Sequence, residues 1–483
     1  MSVTSGAGAP LPVLNGTCLF GICSSGTAYT PTSVGSIVAL TDTFGQGPLV
    51  DAAALYLQIT GQPVYVCRVT QSSAGTISAI TATRAGTSTG TVANNASAPV
   101  NAYSLIIIIV TTGTVAATSF TYKYSVDGGN NYSAILQGAA AVTLGTTGII
   151  LTFADAGGGP TYFEAGDTFT VTTVAPVYNT SNLTSAVTAL INDPNTRVRR
   201  IHAVNTNGAS FHSTLITLRA TAFTAYKYFR VVEESDDLGA GPETVTAWQA
   251  GTNSDFLTQS NSTVIIAGWQ QTLLQTQQDG VNQQRNVPIA WSVGPVIAAG
   301  DVSQDPGRAP SINGPLPNTV VDSTYPIRQD CRLYTGFEGL GITYGQSYVG
   351  LQGLYCAGGF TRIANSSDVY YRLARCQVID LACEITYSAM LAYLNVTLQA
   401  NANGTIAEQA AQAIEADLNS KLSGTLVNVS PQRISPTQNG RYAVMDRTNN
   451  VVTTSQLKVT ITFVPLGYVS SVSVTIGYAL AAN

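Results

Sequence analysis

The sequence predicts a mixed α/β (α+β) chain whose core is interrupted by an inserted all-β domain, and three observations predict it. Short apolar runs bounded by Gly, Ser and Pro alternate with helical patterns in residues 16–69 and again after Thr180. Between these stretches, residues 70–177 nearly lose their charges and are dominated by Thr, Ser, Gly and Ala. Towards the C-terminus two longer helical patterns lead into alternating strand residues.

Residues 17–23 (TCLFGIC) and 36–40 (SIVAL) are short apolar runs of the kind found in buried strands. Residues 51–59 (DAAALYLQI) read as a short helix with Asp51 available as its cap. Gly61-Gln62-Pro63 then turns the chain into a strand at 64–69 (VYVCRV). In the next segment the β-forming runs 105–110, 120–126, 148–153 and 169–173 are separated by turns such as Asp127-Gly128-Gly129 and Ala165-Gly166-Asp167. Asp-Gly and Gly-Gly supply the positive-φ positions that hairpins need, so 70–177 reads as a small sandwich inserted into the α/β core.

After Thr180 the predicted order is helix 182–192, strand 198–204, helix 213–226, strand 228–232, helix 242–251 and strand 264–267. Such alternation implies a parallel or mixed sheet with helices on its faces. Pro306, Pro310, Pro315 and Pro317 make 305–325 an extended connection. From Val369, the residues Leu373, Cys376, Asp380, Cys383, Tyr387, Met390 and Leu394 continue a helical stripe with Asp380 as its one polar member. A second helix starts at Thr405, which with Glu408 forms an expected capping box, and ends at Gly424. The chain then reads as strand over 457–463 and, after Pro465 and Gly467, in the alternation of Val472, Val474 and Ile476 with Ser and Thr.

Only 10% of the 483 residues are charged, against roughly 25% in an ordinary soluble domain. The net charge is −5, and a surface of small neutral polar groups repels other copies weakly, which points to self-association. With 21 Lys+Arg and no basic patch, nucleic acid is excluded as a partner. The longest apolar run, 105–110, is far below the roughly 18–20 residues of a span, so no membrane insertion is expected. The N-terminus lacks the basic and apolar regions of a secretory signal. The 7 cysteines are odd in number and irregularly spaced, which favours free thiols in a reducing cytosol.

His202 and His212 are the only histidines, without H-x-x-H spacing, and read as structural; no metal is expected. Cys18 and Cys23 point to opposite strand faces and Cys376 and Cys383 share the helical stripe, so they serve as small buried hydrophobes. The β-α-β run 201–232 ends in Glu233-Glu234, where a Rossmann fold places its ribose ligand. Its turn, AVNTNGASFHSTL, carries one Gly instead of three, and the Gly-rich run 336–345 lacks a Walker lysine, so no cofactor is expected. Glu233, Glu234, Asp236 and Asp237 read instead as a solvated loop or a charged contact with a neighbouring subunit. Asp380 must be paired or exposed, and Arg372 and Arg375 lie at the unfavourable end of the helix dipole. All three are expected to answer charges elsewhere, within or between subunits. No catalytic constellation emerges, and the expected role is not enzymatic.

The order of these pieces resembles the tail sheath proteins of contractile (myovirus-type) bacteriophage tails and related contractile injection systems. Residues 16–69 (GTCLFGICSSGTAYTPTSVGSIVALTDTFGQGPLVDAAALYLQITGQPVYVCRV) resemble the family's opening. Residues 362–394, with Arg372, Arg375 and Asp380-Leu381-Ala382, resemble the long helix of its C-terminal domain, 404–424 the next helix, and 457–478 the closing strands. Residues 70–177 match only in being β-rich.

The resemblance implies a sheath core with extended N- and C-terminal strand arms. It divides the chain into an N-terminal arm (1–15), an α/β core (16–69 and 178–330), an inserted outer domain (70–177), a C-terminal α+β sheath domain (331–456) and a C-terminal strand arm (457–483). It implies a homo-oligomer of stacked hexameric rings around an inner tail tube protein, capped by baseplate and tail terminator proteins. Such a virion component is made in the host bacterial cytoplasm, contracts without nucleotide and needs no cofactor. Leu457, Val459, Ile461, Val472, Val474 and Ile476 are then the donated arm, and Glu408, Glu415, Asp417 and Lys421 the tube-facing charges. The competing readings are a surface-exposed carbohydrate-binding or adhesive protein, suggested by Tyr103, Tyr122, Tyr124, Tyr132 and Tyr162 in the β-rich segment, and another structural tail component such as a tube protein.

Overall fold

All five residues of TCLFG are buried, which requires a strand with neighbours on both edges and helices over both faces. The computed structural model describes residues 16–155, 162–205, 208–238, 244–278, 280–308, 314–316, 319–320, 330, 336–436 and 440–468. They fall into two compact units, divided between Asp380 and Leu381.

The first unit opens with β1 (Thr17–Gly21), β2 (Thr32–Val34), α1 (Ile37–Phe44), α2 (Pro48–Thr60) and β3 (Val64–Arg68). The expected strand at 36–40 is a helix: the Ser36 hydroxyl caps α1 by accepting the Ala39 N–H at 3.2 Å, and so short an apolar run carries no decisive period. Nor is Asp51 a cap. Pro48 and Gly47 start α2 three residues earlier, and at the φ of 141° of Gly47 a side chain would strike the Ile22 carbonyl. Asp51 is buried instead, and its carboxylate takes the Asn101 amide at 2.6 Å, the Arg285 guanidinium at 3.0 Å and the Thr276 hydroxyl.

Nine strands follow: β4 (Thr76–Ile77), β5 (Thr81–Thr83), β6 (Thr91–Asn94), β7 (Ser104–Thr111), β8 (Thr121–Ser125), β9 (Leu136–Gln137), β10 (Ala141–Thr143), β11 (Ile150–Ala154) and β12 (Thr168–Val174). They form one sheet in the order β4-β12-β7-β8-β9, with β5 also on β12, and another in the order β10-β11-β6. Along β7, Leu105, Ile107 and Ile109 turn inward to a cluster with Phe120, Phe153, Phe163 and Phe169. Tyr103, Tyr122 and Tyr124 are buried in that cluster, so three of the five aromatics suggested for sugar binding serve as core.

The chain then alternates through α3 (Thr180–Asn192), β13 (Arg200–Ala203), α4 (Ala209–Thr224), β14 (Arg230–Glu234), α5 (Val245–Asp255) and β15 (Thr263–Ala267). A long hairpin, β16 (Trp269–Gln278) and β17 (Val281–Pro288), precedes α6 (Ala290–Ala299). The expected Pro-rich connection contributes β18 (Thr319–Val320), paired with β16. After β19 (Ile342–Gln346) and β20 (Tyr355–Cys356) an eight-stranded sheet is complete in the order β2-β3-β1-β13-β14-β15-β19-β20. Its interior pairs are parallel and its two edge pairs antiparallel. Leu19, Val232, Val264 and Ile266 face a layer built on α2 and α6, while Cys18, Phe20, Ile201 and Val231 face α3 and α4. The helix α7 (Leu373–Met390) starts after Val369, which lies in a short 3-10 turn.

In the second unit, α8 (Glu408–Leu422) buries Ala411, Ile414, Glu415, Leu418 and Leu422. The expected capping box is absent: Ala407 occupies the cap, the Thr405 hydroxyl bonds Asn403, and Thr405 bridges Asn450. Gly424 does not terminate the helix, which runs into a π-helical turn at Ser423–Val427. Beyond it, β21 (Ile434–Ser435), β22 (Ala443–Met445), β23 (Val459–Ile461) and β24 (Val464–Pro465) form two antiparallel pairs, β21 with β24 and β22 with β23.

Candidate functional site

Scarce charge makes each charged side chain informative about where the molecule needs specific contacts. Asp380 is 4% exposed and receives a bidentate clamp from Arg230, Nε at 2.5 Å and Nη2 at 2.7 Å, with Arg219 at 3.1 Å. Its answer therefore lies within the chain. Arg230 also donates to the Asn261 and Cys376 carbonyls, so its fork is used to tie β14 to α7. Arg372 pairs with Asp305 at 3.0 Å and stacks on Phe360 and Tyr371, again within the chain. Arg375 sits in the first turns of α7 and donates its N–H to the Arg372 carbonyl.

In the second unit Arg447 bridges Glu408, at 2.9 Å, and Glu415. These hydrogen bonds hold Glu415 below the usual carboxylate range and Glu408 down at about 2. Glu415 also accepts the Met445 N–H at 2.7 Å, and Asn419 accepts the N–H groups of Tyr442 and Ala443, so one face of α8 holds β22. Asp417 and Lys421 form an i,i+4 pair at 2.9 Å, joined by the Tyr393 hydroxyl at 3.2 Å. Val459 and Ile461 are paired to Met445 and Ala443 of the same chain, and Leu457 precedes that strand. Val472, Val474 and Ile476 lie outside the described residues.

Only half of the acidic cluster is a solvent-facing loop: Asp236 is exposed and Asp237 half-buried beyond the strand. Glu233 and Glu234 end β14, buried and pointing to opposite faces, and each meets a histidine. Strand alternation simply continues through the acidic pair, and two histidines in the whole chain were the available signal. On the α2/α6 face, His202 Nε2 lies 2.9 Å from Glu234, Nδ1 lies 3.0 Å from the Tyr56 hydroxyl, and the Trp291 indole donates to Glu234 at 2.7 Å. Glu234 also accepts the Asn205 N–H at 2.9 Å, so the carboxylate a ribose would use is already engaged. On the α4 face, His212 lies between Glu233 and the Thr258 carbonyl. A general base must reach a substrate proton, and these rings, 0% and 1% exposed, are sealed inside.

Among the described residues no group of three or more His, Cys, Asp or Glu is placed to hold a metal ion, and no helix is long and apolar enough to cross a membrane. None of the six described cysteines is in a disulfide, and burial pushes the Cys23, Cys67 and Cys356 thiols up to about 12, far from a reactive thiolate.

No curated protein matches the sequence. Among solved structures, a chain of the anti-feeding prophage baseplate in its contracted state has a TM-score of 0.52 at 11% identity, covering 97% of this chain and 94% of that one. The sheath tail protein of Desulfitobacterium hafniense aligns with a TM-score of 0.48 at 10% identity, covering 94% and 97%. That of Listeria innocua gives 0.46 at 12%, covering 94% and 95%. The fold is thus shared, almost end to end, with a component of a contractile phage-like baseplate structure. Two family models match in sequence order, the DUF2586 N-terminal domain over residues 5–360 and the DUF2586 C-terminal domain over 370–483, and the chain belongs to the DUF2586 family.

Proposed function

We propose that this protein is the structural subunit of a contractile tail sheath. It polymerises as stacked hexameric rings around an inner tail tube and contracts to drive the tube through a target envelope. The observation that carries this reading is the fold shared over 97% of the chain with a chain from a contracted phage-like baseplate. The sequence resemblance and the weakly charged surface agree with it. On this reading the subunit resides in a virion or phage-like tail, meets the tube, baseplate and terminator proteins, and needs no catalysis.

The division of labour follows. Residues 70–177, with their own aromatic cluster, form the outward inserted domain. The chain up to Pro465 is engaged by in-chain strand pairs, so the donated arm begins near Gly467 and carries Val472, Val474 and Ile476 to a neighbouring subunit. Residues 1–15 are the second arm. Strand addition satisfies backbone groups whatever the side chains, so such links tolerate rigid-body movement between cores. Electron microscopy of the purified chain is expected to reveal rings or helical tubes. Persistent monodisperse monomers under all assembly conditions would overturn the proposal. Truncation after Gly467 should abolish polymerisation with the core still folded, and tubes from the truncated chain would remove the arm from the mechanism.

A further inference from the structure

We propose that His212 and Glu233 form a proton-held lock that joins the first turn of α4 to the end of β14 and to the segment after α5, and that the lock opens when its proton is lost. The argument begins with donors and acceptors. His212 Nδ1 is 2.9 Å from Glu233 Oε1, and Nε2 is 2.7 Å from the Thr258 carbonyl. A carbonyl only accepts, and so does an ionised carboxylate. Two hydrogen bonds therefore require an imidazolium, or a neutral ring with the proton on Glu233. In either form the pair carries one proton more than a neutral ring beside a carboxylate. Without it, one ring nitrogen's lone pair faces an oxygen at bonding distance in a buried site: the Thr258 carbonyl where Nδ1 keeps the hydrogen, the Glu233 carboxylate where Nε2 keeps it.

The neighbouring pair has no such demand. Tyr56 can donate its hydroxyl proton to His202 Nδ1 while Nε2–H donates to Glu234, so a neutral ring completes both bonds. Adjacent residues of one strand thus present two histidine–glutamate pairs with opposite proton requirements.

The groups facing His212 are Glu233 from β14, and from the segment after α5 the Thr258 carbonyl and the Phe256 ring, edge-on at 5.3 Å. The guanidinium of Arg362, held by the Phe256 carbonyl at 2.6 Å and Asn253 at 2.7 Å, is the nearby cation. Burial and Arg362 oppose charging the ring. The Glu233 bond and charge and the Thr258 carbonyl outweigh them and raise His212 above its ordinary 6.5. Burial likewise raises Glu233, against the pull of His212. With the folded value above the unfolded one, the lock's stabilisation is complete below pH 6.5 and is lost as pH rises through the folded value.

Amide hydrogen exchange of the full-length protein between about pH 6 and 9 tests the lock. Protection at 209–215 and 256–260 is expected to fall by up to about tenfold per pH unit above the His212 titration, beyond intrinsic base catalysis. Protection in α2 and α6 should not follow. In E233Q the side-chain amide donates to a neutral His212, whose Nε2–H still reaches Thr258, and the pH dependence should vanish. A flat wild-type profile, or the same dependence in E233Q, would overturn the proposal. Because His202 and His212 are the only imidazoles, NMR of labelled wild-type protein gives a second measure. A titration of His212 at or below 6.5 would equally sink it, whether or not E233Q folds.

Discussion

Asp380 and Glu415 are both helix-borne carboxylates gripped by arginine, one in each compact unit, yet they sit in different dielectric surroundings. Asp380 and Arg230 are each 4% exposed, with Arg219 at 14%. Around Glu415, which is 7% exposed, the partner Arg447 is 31% and its second acid Glu408 59% exposed. A sealed pair is attracted strongly but has left its water behind, so removing one partner strands the other. A pair at the water's edge returns to solvent when broken. The difference teaches that this chain places its few charges at two kinds of joint, one that specifies a packing and one that trims it.

The largest effect should come from the sealed joint. Asp380→Ala removes the buried carboxylate that Arg230 and Arg219 share, and chemical denaturation should register a loss of about 3–5 kcal/mol. The double variant Arg230→Met with Asp380→Leu removes both charges and should be far less damaging than the sum of the single changes. A strictly additive double-mutant cycle would break the comparison at its strong end.

The intermediate joint is Arg447. Glu415→Gln takes the charge from a carboxylate that accepts two bonds from Arg447 but leaves Arg447 to Glu408, and should cost about 1–2 kcal/mol in the second unit. Hydrogen bonds from Arg447 depress the folded Glu415 carboxyl below its ordinary 4.5. Its stabilisation is therefore present above pH 4.5 and lost as pH falls through the folded value. Acid should thus loosen β22 from α8, and exchange at 443–445 should lose its acid sensitivity in Glu415→Gln. The same acid sensitivity in the variant would remove Glu415 as its origin.

These joints were not legible in the sequence, although much of the fold was. Buried strands such as 17–23 and 64–69 announce themselves because composition and length are local properties. The helix α1 does not announce itself, because SIVAL is too short to display a period and a serine cap decides it. Asp380 was recognisable as an oddity in an apolar stripe, but its partner Arg230 lies 150 residues away in an unremarkable YFRVV strand. The Glu233-Glu234 pair is illegible for a related reason. Acidic dipeptides usually signal solvent, and only the fold brings His202 and His212 to the two faces of one strand.

At the weak end stands Asp417–Lys421, 35% and 44% exposed, one turn apart on α8. Here both ions keep most of their hydration, so the Coulomb gain is offset by ordering two long side chains and is screened by salt. Lys421→Ala should shift the stability of the second unit by no more than about 0.5 kcal/mol, and the shift should shrink further at high ionic strength. Because Lys421 is free of the Arg447 bridge, its removal should add independently to that of Glu415→Gln. If Lys421→Ala instead abolished assembly while leaving stability unchanged, the exposed pair would be a contact made with another molecule. Exposure would then mark, on this weakly charged chain, where the surface is meant to be met.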